Sequence, residues 1–272
     1  FILIFDESLI FFNGLREILG FFIGIVLIFL IGFYDDRFFL KPNSKLVLIA
    51  LVAIITLSIS DIYKVDHFNF LFLEKKIFLE NFGIIFTVFC ILVFVNAFNM
   101  IDGINGLSVS YFLICIFYIL SLNFNLSFFI FLIIPGIIFL YFNFKNKLFL
   151  GDSGSLLLGF TLSCLFIKSH NNELINADQI VLLMIIPGID MLRVASLRIL
   201  KKKHAFQADR SHFHHLLLKK YNYLTSYLII VGLIALTAFI SIIFKSIYIN
   251  VFEIISLISI YLIFFGLIKL QK

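Results

Sequence analysis

Nine apolar runs recur along the 272-residue chain, at roughly 15–34, 45–60, 82–98, 107–122, 126–142, 153–168, 178–197, 223–244 and 249–270. A tilted helix needs about 17–25 apolar residues to cross a ~30 Å hydrocarbon core, and the shorter runs reach that length when their ends are extended. Backbone polar groups facing lipid must be satisfied within the segment, so each run is expected to be a helix. Hydrophobic residues make up 62% of the chain and charged residues 14%, against about half and about a quarter in soluble domains. This excludes a soluble globular domain, a disordered chain and a disulfide-stapled scaffold. With no internal repeat or low-complexity linker, residues 1–272 are read as one domain. The expected fold class is an all-α polytopic membrane protein of about nine transmembrane helices.

Cys90, Cys115 and Cys164 sit inside apolar runs with no CxxC pair, which argues against a disulfide framework or a cysteine zinc site. The chain starts at Phe1 with an apolar stub, Phe1–Phe5, that lacks a basic n-region and a cleavage site. It reads as the tail of a helix rather than a signal peptide, so an N-terminal truncation is expected.

The net charge of +5 points to membrane orientation rather than to nucleic acid, because the basic residues alternate between loops. One side holds Arg37, Lys41, Lys45, Lys145, Lys147, the Arg193–Lys220 stretch, Lys269 and Lys272. The other holds Arg16, Lys64, Lys75, Lys76, Lys168 and Lys245. The positive-inside rule makes the richer side cytoplasmic.

Four polar clusters fall on that side: Tyr34-Asp35-Asp36-Arg37, the stretch from Asn96 to Gly106, Gly151-Asp152-Ser153-Gly154-Ser155, and the loop from Arg193 to Tyr221. Adjacent acids are unfavourable at the negative end of a helix dipole, so Asp35-Asp36 asks for a cation or a phosphate-transfer role. Taken alone, Gly151–Ser155 reads equally well as a helix N-cap, and Asn99–Gly106 as a turn rich in glycine and Asx residues. His212, His214 and His215 invite a zinc or iron site. Their spacing does not converge two ligands on one helix face, however, and Arg210, Lys219 and Lys220 suit a phosphate better than a metal. Read together, the acid corners and the basic loop suggest one shared site. Hard carboxylate ligands such as Asp102 and Asp152 suit Mg²⁺ or Mn²⁺. Phosphoryl transfer at a membrane surface is the reaction class that uses all these parts.

The order of motifs resembles a known family. Asp35-Asp36 is followed by Asn99-x-x-Asp102-Gly-x-Asn105-Gly, then by Gly151-Asp-Ser-Gly-Ser, Pro187-Gly-Ile-Asp-Met-Leu-Arg-Val and Ala208-Asp-Arg-Ser-His-Phe-His-His. These residues resemble the polyprenyl-phosphate N-acetylhexosamine-1-phosphate transferases, over about Ile31 to Leu218. The resemblance implies an integral enzyme of the bacterial inner membrane. Such enzymes move a sugar-1-phosphate from a UDP-sugar onto a polyprenyl phosphate and release UMP, with membrane lipids around them. It implies that Asp35 and Asp36 lie near the acceptor phosphate, one of them as general base, and that Lys45 binds that phosphate. It makes Asp102 and Asp152 the Mg²⁺ ligands, with Asp102 also catalytic. Asn99, Asn105, Arg210, His212, His214 and His215 fall to the donor diphosphate. Asp190 matches an acid without an assigned role.

His212-Phe-His-His215 followed by Leu216 resembles the UDP-GlcNAc branch more than the phospho-MurNAc-pentapeptide branch. Three departures stand out: Asn105 where many members have Asp, Ala205 and Ala208 where the loop usually has Pro, and no Pro-Arg-Gly-Gly-type N-terminal segment. Members commonly dimerise, so a homodimer is a possible assembly. Competing readings are a secondary transporter for an anionic solute, favoured only by Asp190 near Pro187-Gly188, and a metalloenzyme built on the His loop.

Overall fold

The computed structural model describes residues 11–70, 75–122, 126–200, 202 and 211–244. Its helices are α1 (Leu15–Phe38), α2 (Pro42–Ile59), α3 (Gly83–Ile101), α4 (Leu107–Leu122), α5 (Leu126–Phe144), α6 (Gly151–Asn171), α7 (Ala177–Leu200), α8 (Phe213–Leu218) and α9 (Tyr223–Phe244). All but the short α8 coincide with apolar runs in the sequence. The run at 249–270 and the stub at 1–5 lie outside the described residues.

Among the described residues, six helices are long and apolar enough to cross a membrane: α1, α2, α3, α5, α7 and α9. The other two long elements are the ones most enclosed by protein. α4 has 16 residues and buries most of them. α6 has 21 residues, packs against α1, α3 and α4, and is buried continuously from Gly159 to His170. A helix solvated by protein can carry Thr161, Ser163, Lys168 and His170 where a lipid-facing one could not. The outer helices leave Phe22, Phe29, Phe89 and Phe131 exposed, a surface suited to lipid rather than water. The chain is an all-α polytopic membrane protein.

Close helix contact positions the polar ends. A Cβ at Gly24 would lie 2.5 Å from Thr56 Oγ1, and one at Gly32 would lie 2.4 Å from Ser153 Cα. Small residues let membrane helices approach this closely, and Gly32 sets the end of α1 onto the start of α6. Phe39, with φ 52°, ends α1 by donating its N–H to the Asp35 carbonyl at 2.9 Å. Pro42 opens α2 at a position where its missing N–H costs nothing.

At the opposite end, β1 (His67–Phe68) pairs antiparallel with β2 (Ile77–Phe78). Two residues are too few to leave a periodic signal in the sequence. Buried Lys168 is held there by Glu17 at 2.5 Å and by the Phe11 carbonyl at 2.6 Å. The three cysteines are free thiols.

Candidate active site

A cavity of about 380 Å³ opens where α1 and α3 end, α6 begins and α8 returns towards the bundle. Asp35, Lys45, Asn99, Asp102, Asp152, Arg198, His212, His214 and His215 line it, alongside Asn96 and Gly103. Residues from all four polar clusters thus share one wall.

Lys45 is the centre of the acidic side. Its Nζ lies 2.8 Å from Asp35 Oδ2 and 2.7 Å from Asp152 Oδ1. Asp35 is buried and also accepts the Leu40 N–H at 2.6 Å. Asp152 accepts a further bond from Asn99 Nδ2, which also donates to Ser155 Oγ at 2.7 Å. Burial works to raise the Asp152 carboxyl, but the Lys45 charge and the Lys45 and Asn99 hydrogen bonds outweigh it and hold the group below its ordinary range.

Asp102 stands just past the end of α3 and accepts Ser108 Oγ at 2.8 Å. Burial pushes its carboxyl up to about 6, against the Ser108 bond and with help from the Asp152 and Asp36 charges. The His wall is built differently. Burial, with His215 and His212 beside it, holds His214 down to about 3, so this ring is neutral at physiological pH. Among the described residues its buried Nε2 has no hydrogen-bond partner, and a Cβ at Gly103 would lie 1.8 Å from that atom. Among the described lining residues, Lys45 and Arg198 carry the permanent positive charge.

The remaining expected residues lie elsewhere. The Asp36 carboxylate does not line the cavity; it accepts the N–H groups of Asp152 at 2.7 Å and Ser153 at 3.0 Å. Asn105 also points away, donating to Asn146 Oδ1 at 2.6 Å. Arg210 lies outside the described residues, as do Ala205 and Ala208. Asp190, the residue that suggested a transporter, is held by His212 and Arg193 at 2.9 and 2.6 Å beside the cavity.

Arg198, Gly103 and Ser108 were not singled out from the sequence. Asp190 and Arg193 stand i, i+3 on α7 and could have been paired by spacing. Ser108 to Asp102 leaves no such signal.

Among the described residues, no group of three or more His, Cys, Asp or Glu side chains is gathered to hold a metal. Mg²⁺ is characteristically bound by one or two carboxylates plus substrate phosphates and water, not by an all-protein cage. Asp102 and Asp152 on one wall, with the Asp152 charge pushing up the Asp102 carboxyl, fit that mode.

The sequence profile of the family described as Glycosyl transferase family 4 matches residues 18–170. The undecaprenyl-phosphate alpha-N-acetylglucosaminyl 1-phosphate transferase of Yersinia pestis is 31% identical over 206 residues, covering 71% of this chain and 56% of that protein. The protein of the same name from Salmonella typhi is 30% identical over 207 residues, with the same 71% and 56% shares. A Bacillus subtilis protein named "Probable undecaprenyl-phosphate N-acetylglucosaminyl 1-phosphate transferase" is 31% identical over 206 residues, with shares of 72% and 57%. The chain spans about half the length of the curated relatives it matches. The profile match and these identities establish that the chain belongs to glycosyl transferase family 4.

Proposed function

We propose that this protein transfers N-acetylglucosamine-1-phosphate, or a related HexNAc-1-phosphate, from a UDP-sugar to a polyprenyl phosphate. The site faces the cytoplasm, where the positive-inside rule puts its loops. The observation that carries the reading is the single cavity lined by Asp35, Lys45, Asn99, Asp102, Asp152 and the His wall. Names of relatives at about 30% identity point the same way.

An oxygen of the polyprenyl phosphate attacks the β-phosphorus of the UDP-sugar. The new P–O–P bond forms as the bond from the β-phosphorus to the oxygen bridging to the α-phosphorus breaks, and UMP leaves with that oxygen. A phosphate monoester has a second pKa near ~6, so the acceptor is largely dianionic at neutral pH and needs no strong base. Lys45 draws the acceptor phosphate to the cavity while Asp35 and Asp152 fix its ammonium. Arg198 and the neutral His214 face the donor diphosphate, one as charge and the other as hydrogen-bond partner.

Asp102 and Asp152 would hold Mg²⁺ or Mn²⁺, which when bound neutralises charge on the diphosphate. Asp36 acts on the site through the start of α6 rather than by touching substrate.

An exchange assay on full-length protein tests the proposal. Labelled UMP, Mg²⁺ and a polyprenyl diphosphate-GlcNAc should yield labelled UDP-GlcNAc. No exchange with this lipid, but exchange with the muramyl-pentapeptide lipid, would move the protein to the other branch. A phosphorylated Asp35 or Asp36 trapped without acceptor would replace direct attack by a two-step route.

A further inference from the structure

Asp190 lies inside α7, three residues beyond Pro187, and is 8% exposed. A buried carboxylate at such a position must be matched by donors. Its Oδ2 meets His212 Nδ1 at 2.9 Å, and its Oδ1 accepts from Arg193 Nη2 at 2.6 Å. The Phe213 N–H lies 3.1 and 3.2 Å from the two oxygens. Arg193 also donates to the Ser211 carbonyl at 2.7 Å, so the returning loop is pinned to α7 on both sides of His212.

These contacts suit one state of the His212 ring, protonated at Nδ1 and bare at Nε2. An ionised carboxylate only accepts, so Nδ1 carries a proton. On the far side of the ring, Nε2 is 3.4 Å from Arg198 Nη2. A guanidinium only donates, so Nε2 offers its lone pair. Both nitrogens of this buried ring are therefore committed within the protein. The ring also lies parallel to His214, at 5.8 Å and 4°.

We propose that Asp190 is a positioning residue that acts through His212. It fixes the ring in the Nδ1–H tautomer, and the ring in turn holds the Arg198 guanidinium and the His214 ring in place on the cavity wall. His212 then transmits this order instead of binding the donor diphosphate itself. The inference rests on the transferase reading for its kinetic consequence, though not for the ring state.

The test uses full-length protein with UDP-GlcNAc and polyprenyl phosphate each varied in turn. Asp190→Asn should lower kcat/KM for the UDP-sugar by about 10–100-fold, as is typical when the partner orienting a functional histidine is lost. The KM for polyprenyl phosphate should stay near wild type, and Asp190→Glu should recover part of the loss. In a His212→Ala background, Asp190→Asn should cost less than about threefold, because coupled residues do not add. Full additivity, or an unchanged donor kcat/KM in Asp190→Asn, overturns the proposal.

Histidine-selective ¹⁵N NMR gives a second readout. Wild type should show a His212 ring protonated at Nδ1 and bare at Nε2, and Asp190→Ala should mix the tautomers. An unchanged tautomer in Asp190→Ala also overturns the proposal. If that variant does not fold, the Asn and Glu variants and the double-mutant cycle decide. Wild type that is inactive with this donor and acceptor would refute the transferase reading, while the NMR result still judges the role of Asp190.

Discussion

The carboxylate of Asp36 grips the start of the helix that carries Asp152, with its two oxygens accepting the N–H groups of Asp152 and Ser153 at 2.7 and 3.0 Å. One side chain thus satisfies two of the orphan donors in the first turn of α6, and its negative charge suits that end of the helix dipole. The residue beside them must be glycine. Gly151 has φ 65°, and a Cβ there would lie 2.8 Å from Asp36 Oδ2. This tie registers the end of α1 against α6 across 116 residues of chain.

Loss of this cap should therefore act on stability and turnover together. Asp36→Ala should cost about 0.5–2 kcal/mol, as other lost N-caps do, and should lower kcat by misplacing Asp152. Asp36→Asn keeps one good acceptor and should fall between wild type and Ala in both Tm and kcat. Equal inactivity of the two variants at wild-type Tm would instead make Asp36 a group that handles the proton.

Lys45 holds Asp152 ionised against burial. In Lys45→Met only the Asn99 and Asp35 hydrogen bonds oppose burial, so the Asp152 carboxyl should rise and the acid limb of the pH–rate profile should move to higher pH. The stability sign follows. A depressed carboxyl contributes stability above its unfolded pKa and loses it as pH falls through its lower folded value. The Tm gap between wild type and Lys45→Met should therefore be widest near neutrality and narrow in acid. Lys45→Arg should restore part of both. A pH-independent gap would show that Lys45 serves packing only.

Asp102 has the opposite sign. Its carboxyl, pushed up to about 6 by burial and by its acidic neighbours, binds a proton more readily folded than unfolded. It therefore costs stability at neutral pH, and that cost shrinks as pH falls from about 6 and is gone below the ordinary carboxylate range. Asp102→Asn should lower kcat by about 100–1,000-fold, the range seen when a charge-stabilising group is removed, yet match or exceed the wild-type Tm at pH 7.5. The gain should fall to about half at pH 5 and vanish only below the ordinary carboxylate range, pH ~3.9. A lower Tm at pH 7.5 would contradict the assignment.

Cation dependence gives a linked expectation. If Asp102 and Asp152 share Mg²⁺ with the diphosphate, proton and cation compete. Raising Mg²⁺ should shift the acid limb of turnover from near 6 towards lower pH, and chelation should abolish turnover reversibly. Full activity after exhaustive chelation would remove the metal from the mechanism.

Gly103 and His214 interlock, because a Cβ on the former would overlap the ring of the latter. Gly103→Ala should lower Tm and raise the KM for UDP-sugar as the ring is displaced. His214→Ala in the same chain should recover the Tm but not the activity. Failure of the double variant to regain stability would place the clash elsewhere.

Much of this was legible from single segments. Eight of the apolar runs are helices, because hydrocarbon leaves the backbone no other way to satisfy itself over such lengths. The acids, the Gly-rich turns and the His segment were visible as clusters, and their order carried the family. Local pattern did not show that α4 and α6 are the enclosed helices. Their burial depends on which neighbours surround them, and α6 tolerates polar residues for that reason.

The residues of the site divide along the same line. Chain order alone marked Asp35 and Asp36 as a pair, and Asn99, Asp102 and Asn105 as one polar segment. Neighbours on a helix point about 100° apart. Only the packing of α1 on α6 therefore decided that Asp35 meets Lys45 at the cavity while Asp36 caps the facing helix. Likewise Asn99 turns inward to Asp152 and Asn105 outward to Asn146. Sequence determines which chemistry is available at each helix end; which groups face one another depends on the close approach of helices that are far apart in the chain.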